Sequence, residues 1–349
     1  MNLPRQSILK LISGLLLCLV SLIARGEDRE IRLFGWSDYL MPEILDQFTR
    51  ETGISVRFTS YESNESMYAK LKLLNSGGYD LAMPSTYFVD KMRKEGMLHS
   101  IDKTKLPHYK NLDPRQLDKP FDPGNQYSIP YLWGTTGIGL DTAKFKPQDL
   151  QAWADLWKPM FADRLLLPND IREVFHVALI VLGYSGNDTN PEHIRQAYEL
   201  LKKLLPNIRL FNSDAADVLF MTGEADAGVV WNGAANRIHR EEPSFHYVYP
   251  KEGVIIWMDS LIIPKNAPHV ELAHRLIDFL LRPEIAQLVS EKVGSATPNL
   301  EAIKRLSPEV RENVMIYPND EILSKGEYQT DIGEAITTYT QYWEKLKAE

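Results

Sequence analysis

Apolar and polar positions along this chain switch repeatedly between a period of two and a period near 3.6, and the switches mark its elements. Residues 30–35 (Glu-Ile-Arg-Leu-Phe-Gly) alternate and stop at Gly35, which predicts a strand. Residues 41–52 place Ile44, Leu45 and Phe48 on one helical face and end before Gly53. A second strand is expected at 54–59. A second helix is expected at 63–74, stopped by Asn75-Ser76-Gly77-Gly78, and a short buried strand at 79–83. Strand, helix, strand, helix, strand in that order implies a parallel sheet covered by helices.

The same alternation continues. Strands are expected at 136–140, 165–167, 227–231 and 254–263. Helices are expected at 173–182, closed by Gly183, and at 191–205, 269–281, 283–292 and 331–347. The chain therefore reads as α/β. At 349 residues it exceeds one ordinary core, so two domains are expected. The composition, 44% hydrophobic and 25% charged, is that of a globular protein without repeats or low-complexity tracts.

Residues 1–26 break the pattern. Arg5 and Lys10 give a basic start, 11–23 are almost wholly apolar, and Ala24-Arg25-Gly26 sets small residues where a signal peptidase reads. The apolar run is short for a membrane span. A secretory signal cleaved before Glu27 is expected. An uncleaved anchor is the alternative. So is a lipid on Cys18, although Leu15-Leu16-Leu17 lacks the usual preceding small residue. Cys18 is the only cysteine, so the mature chain would hold no disulfide, thiol nucleophile or cysteine metal site. Cleavage removes Arg5, Lys10 and Arg25 and no acid, taking the formal net charge from −8 to −11. That argues against nucleic acid and is compatible with a cationic ligand.

Ligands of open α/β sheets bind beyond the carboxyl ends of strands. The chemically distinctive stretches sit there: Trp36-Ser37-Asp38-Tyr39, Ser85-Thr86-Tyr87, Asp170 to Glu173, and Val230-Trp231-Asn232-Gly233. In the 254–263 run, Ile255, Trp257, Asp259 and Leu261 share one face. A carboxylate on an otherwise apolar face needs a partner. Brought together, these groups form an aromatic slot rimmed by acids, suited to methylene segments between ammonium groups.

Each feature has another explanation. Asp170-x-x-Glu173 is also a helix capping box. Trp36, Trp231 and Trp257 also fit a core. Asp259 also fits a structural ion pair with an arginine. The eight histidines lack metal-site spacing. There is no nucleophile elbow or phosphate loop, and Gly134-Thr135-Thr136-Gly137-Ile138-Gly139 lacks dinucleotide spacing. Aromatics beside acids also bind or hydrolyse sugars.

At these residues the chain closely resembles the periplasmic spermidine/putrescine-binding proteins, solute receptors of polyamine ABC transporters. The resemblance runs from about Ile31 to Leu346. It is carried by Ser60-Tyr61-Glu62-Ser63-Asn64-Glu65, Pro84-Ser85-Thr86-Tyr87, Trp153-Ala154-Asp155-Leu156-Trp157-Lys158-Pro159, Arg172-Glu173-Val174-Phe175, Phe211-Asn212-Ser213-Asp214, Trp257-Met258-Asp259-Ser260-Leu261 and Leu280-Leu281-Arg282-Pro283, among others. It implies a two-lobe periplasmic binding protein fold of type II, each lobe a mostly parallel sheet flanked by helices, with a hinge between. Lobe one would hold 28–133 and 258–303; lobe two, 134–257 and 304–349.

The resemblance places Trp36, Tyr39, Tyr87, Trp231 and Trp257 around a methylene chain. It places Asp170, Glu173 and Asp259 on ammonium groups, with Ser37, Ser85, Ser213 and Gln329 lining the site. Two positions depart from the family pattern: Asp38 stands for a glutamate and Ser295 for a tyrosine. Both enlarge the slot near the ligand's ends. The implied protein is a periplasmic monomer without catalysis or cofactor. Its partners would be a polyamine and an inner-membrane ABC permease, or alternatively a membrane sensor.

Overall fold

The computed structural model describes residues 29–37, 39–213 and 215–349. The signal segment, Glu27 and Asp38 lie outside the described residues. Among those described, no helix is long and apolar enough to cross a membrane.

The first third builds β1 (Glu30–Trp36), α1 (Pro42–Thr52), β2 (Ser55–Tyr61), α2 (Asn64–Leu73), β3 (Leu81–Ala82) and α3 (Thr86–Lys94). Local chemistry sets these limits. α1 ends where Gly53 takes φ 68°, a left-handed conformation open to glycine. Ser63 caps α2 by accepting the Ser66 N–H. Next come β4 (Ser128–Asp141), β5 (Leu165–Leu167), α4 (Ile171–Val181), α5 (Pro191–Leu204), β6 (Ile208–Phe211), α6 (Ala216–Met221), β7 (Ala227–Trp231), α7 (Asn232–Glu241) and β8 (Phe245–Val248). The chain closes with β9 (Ile255–Ile262), α8 (Val270–Leu280), α9 (Pro283–Val293), three short helical turns, β10 (Glu327–Tyr328) and α10 (Ala335–Ala348).

The strands form one sheet in the order β2-β1-β3-β9-β4-β7-β5-β6, with β10 beside β9 and β8 beside β4. The expected parallel pairing holds for β1 with β2 and β3, and for β5 with β6 and β7. The two longest strands differ: β4 and β9 pair antiparallel with each other, β4 also with β7, and β9 also with β3. The sheet is thus mixed and continuous.

β4 and β9 also join two cores. Ile129, Tyr131, Leu132, Leu261 and Ile263 belong to one with Ile31, Phe48 and Ile277. Ile138, Leu140 and Ile255 belong to the other with Trp153, Phe175 and Tyr339. The middle of each strand therefore lies between two packed masses.

Two elements depart furthest from their expected bounds. β4 starts at Ser128, before the expected 136, because Pro130 sits at a bulge in the β4–β9 register where its missing N–H is tolerated. α10 starts at Ala335, later than 331, because Gly333 adopts φ 56° in a turn whose N–H Asp331 accepts.

Candidate ligand-binding site

Parallel strands deliver their carboxyl ends to one region. Trp36 ends β1, Ser85 precedes α3 just after β3, Asp170 follows β5, Ser213 follows β6 and Trp231 ends β7. Trp257 and Asp259 project from the middle of β9. All the expected site residues apart from Asp38 line a single cavity of about 990 Å³, mouth included: Trp36, Ser37, Tyr39, Ser85 and Tyr87 on one side, Asp170, Glu173, Ser213 and Trp231 on another, with Trp257, Asp259, Ser295 and Gln329 completing it.

Asp259 is 3% exposed. Its Oδ1 accepts from the Ser85 hydroxyl at 2.5 Å and its Oδ2 from the Tyr39 hydroxyl. No arginine pairs with it among the described residues. The partner that a carboxylate on an apolar strand face needs is supplied within the protein by two hydroxyls. Ser85 is held in turn by Asn64, which donates to Ser85 Oγ at 3.1 Å and accepts the Ser85 N–H at 3.0 Å. Burial pushes the Asp259 carboxyl up to about 6, against the pull of its Ser85 and Tyr39 hydrogen bonds.

Asp170 caps α4 by accepting the N–H groups of Arg172 (2.8 Å) and Glu173 (3.0 Å). Only that half of the capping box forms. Glu173, instead of reaching back, turns into the cavity beside Thr136 and Trp231, and its Oε2 has no hydrogen-bond partner among the described residues. Burial pushes the Glu173 carboxyl up to about 8, and the nearby charge of Asp170 adds to this. Burial also raises Asp170, opposed by the two capping N–H groups and by the charge of Arg172. The Arg172 side chain is buried, yet its guanidinium is hydrogen-bonded to neither acid. It donates to the Thr330 carbonyl (2.9 Å) and Asn187 Oδ1 (2.8 Å) and packs 5.3 Å from the Tyr87 ring centre.

The aromatic walls are braced from behind. Tyr61 meets Trp36 edge-on at 4.6 Å, and its hydroxyl is fixed on the Met83 carbonyl at 2.5 Å. Trp257 lies over Gly134, its partner across β4–β9. A Cβ on Gly134 would sit 2.4 Å from the Trp257 ring. The glycine-rich stretch of β4 is thus a floor for an aromatic ring. The Nε1 of Trp257 and the Nε2 of Gln329 have no partner among the described residues.

Sequence reasoning missed several contributors. Glu62 and Asn64 line the cavity, as do Asp217 and Arg237. Asn64 lay in view, inside the 60–65 stretch that carries the family resemblance. Nothing in the sequence marks Arg237. Among the described residues no group of three or more His, Cys, Asp or Glu is placed to hold a metal ion.

A cavity between two cores, roofed by strand ends of a mixed α/β sheet, defines a protein of the periplasmic solute-binding fold. A solved structure from Listeria monocytogenes shares that fold at TM-score 0.88 and 35% identity, covering 91% of this chain and 99% of its own. The spermidine/putrescine ABC transporter substrate-binding protein PotD of Streptococcus pneumoniae matches at TM-score 0.78 and 35% identity, covering 91% of this chain and 98% of its own. In sequence, the chain is 51% identical to the spermidine/putrescine-binding periplasmic protein of Salmonella typhimurium across 97% of both. Residues 43–317 match the bacterial extracellular solute-binding protein family. The chain belongs to that family.

Proposed function

We propose that this protein is a periplasmic receptor that captures polyamines, spermidine and putrescine foremost, and delivers them to an ABC permease in the inner membrane. One observation carries the reading. Asp259 and Glu173 are carboxylates buried among tryptophan and tyrosine rings, and their partners within the chain are hydroxyls and neutral groups rather than cations. Buried carboxylates without a counter-charge are costly, and ammonium groups supply one. Each ionic contact replaces lost hydration with a charge-assisted hydrogen bond. Between the charges, aromatic faces cover methylenes, worth about 0.8 kcal/mol for each CH₂ buried. They add about 0.5–2 kcal/mol for each ammonium placed over a ring. The names borne by the Salmonella and Streptococcus relatives support the same ligand class and compartment.

Closure accompanies capture in this reading. Lobe one would hold 28–133 and 258–303, and lobe two 134–257 and 304–349. The passage of β4 and β9 from one core to the other supports placing the hinge there. The closed surface is what the permease reads. The receptor acts as a soluble monomer and catalyses no reaction.

Isothermal titration of the exported protein with spermidine, putrescine, spermine and a disaccharide tests the assignment. Tight binding of at least one polyamine and none of the sugar is expected. Sugar binding without polyamine binding would overturn it.

A further inference from the structure

Gln329 reaches the cavity from a segment with little regular structure. β10 is two residues long and pairs with β9 at Ile255 and Ile256. Residues 329–334 after it form neither helix nor strand. Gln329 is nonetheless only 4% exposed, lines the cavity, and has an Nε2 without a partner among the described residues. A side chain not tied by its own hydrogen bonds takes its direction from its backbone.

One side-chain amide fixes that backbone. Asn187 Nδ2 donates to the Tyr328 carbonyl at 2.8 Å, and Asn187 Oδ1 accepts the Thr330 N–H at 2.8 Å. These two groups belong to the peptide units on either side of the Gln329 Cα. A residue of a neighbouring parallel strand would bind the same pair, so Asn187 continues the ladder past the end of β10. Its other valences are used as well: Oδ1 accepts from Arg172 Nη2 at 2.8 Å, and Nδ2 donates to Glu327 Oε1 at 2.9 Å. Four bonds saturate the amide and leave it one orientation.

The amide is itself anchored to α4. The Gly186 N–H donates to Glu327 Oε2 at 2.9 Å, and a Cβ on Gly186 would sit 2.1 Å from the His176 ring of α4. Arg172, which stands between Asp170 and Glu173 in the sequence, donates to the Thr330 carbonyl at 2.9 Å. The helix that presents both acids therefore also holds the backbone that presents Gln329. Asn187 itself stands outside the cavity wall. We infer that Asn187 is a positioning residue for ligand binding that acts through Gln329. It sets the Gln329 amide at a fixed place relative to Asp170 and Glu173, where the amide oxygen accepts from an ammonium group of the ligand. This rests on the polyamine reading and deepens it.

Titration calorimetry with spermidine on the wild type, Asn187→Ala, Gln329→Ala and the double variant is the test, with thermal melts alongside. Each single substitution should weaken spermidine binding about tenfold. The double variant should stay within about threefold of Gln329→Ala, because Asn187 has nothing left to aim. Any larger further loss makes the two effects independent and overturns the inference. A merely structural Asn187 would lower Tm while the folded fraction kept wild-type affinity, and that result also overturns it. Should Asn187→Ala not fold, Asn187→Asp takes its place in the same cycle. It keeps the bonds from Thr330 and Arg172 and loses those to Tyr328 and Glu327, and the effect of its added charge appears in both backgrounds and cancels. Spermidine bound equally by the wild type and Gln329→Ala overturns the inference while the polyamine reading stands. A wild type that binds no polyamine overturns both.

Discussion

Ser85 and Asp259 are joined twice: their backbones form an isolated antiparallel bridge, and the Ser85 hydroxyl donates to the Asp259 carboxylate. They stand 174 positions apart in the chain, so this is a contact only the finished fold supplies. Asn64 holds Ser85 and the Tyr39 hydroxyl holds the other carboxylate oxygen. The carboxylate is aimed before any ligand arrives, so little ordering is left to be done on binding.

Asp259→Asn should weaken spermidine binding by roughly 2–4 kcal/mol, because a desolvated ammonium loses its counter-charge. Stability should also fall, by about 1 kcal/mol, since the amide presents a donor to one of two hydroxyls that now donate. Calorimetry and thermal melts measure the two effects. Unchanged affinity alongside lowered stability would make Asp259 a structural residue.

The pH response has a defined sign. Burial raises Glu173 to about 8 and Asp259 to about 6, and Asp170 moves in the same direction. In the unfolded chain such groups titrate near about 4. Between those limits the folded state binds more protons than the unfolded one. Their contribution to stability is therefore greatest at the acid end and is lost as pH rises through 6 and then 8. Ammonium binding needs the ionised forms, so affinity runs the other way and weakens as pH falls through the same window. Melts from pH 5.5 to 8.5 should show a falling Tm for the free protein and a growing Tm shift with spermidine. A ligand shift independent of pH would remove these carboxylates from the site.

Gly134→Ala should act on the site through packing. The added methyl would lie 2.4 Å from the Trp257 ring, which must tilt or lift, and 2.2 Å from the Asn232 Oδ1 that accepts the Thr135 N–H. Overpacking of this kind costs about 1–3 kcal/mol. Polyamine affinity should drop with stability, whereas a stability loss with full affinity would show that the Trp257 ring does not touch ligand.

The exported protein should begin at Glu27, with a mass free of lipid and of residues 1–26. Mass spectrometry of the periplasmic fraction reads this directly. A mass increase matching acylation at Cys18 would replace the soluble receptor with a tethered one.

Much of the site was legible because strand ends are legible. Trp36, Trp231 and Asp170 each follow an apolar run that could only be a strand, and α/β geometry gathers such positions. Trp257 and Asp259 were legible from period-two alternation. What stayed hidden depends on contacts between distant segments. Asp259 looked as if it needed a cation, yet Tyr39 and Ser85 come from elements the sequence does not tie to it. Gly134 had no role legible in the sequence until the register set it under Trp257. The early start of β4 was masked by Pro130, which reads as a breaker wherever a bulge is not foreseen. Taken alone, Glu173 read first as half of a capping box, and only its orientation into the cavity separates the two roles.

The route of β4 and β9 has a consequence for synthesis. The core that contains Ile31 and Phe48 also needs Leu261, Ile277 and Val293, and the core that begins at Ile138 also needs Tyr339 and Trp343. Neither is complete in any contiguous half of the chain. A nascent polypeptide must reach residue 293 before its earliest strands find their packing, and nearly its last residues before the rest does. Long-range closure of this kind is slow and leaves apolar surface exposed meanwhile. A chain that stays open until its end is made can still be threaded through a membrane pore.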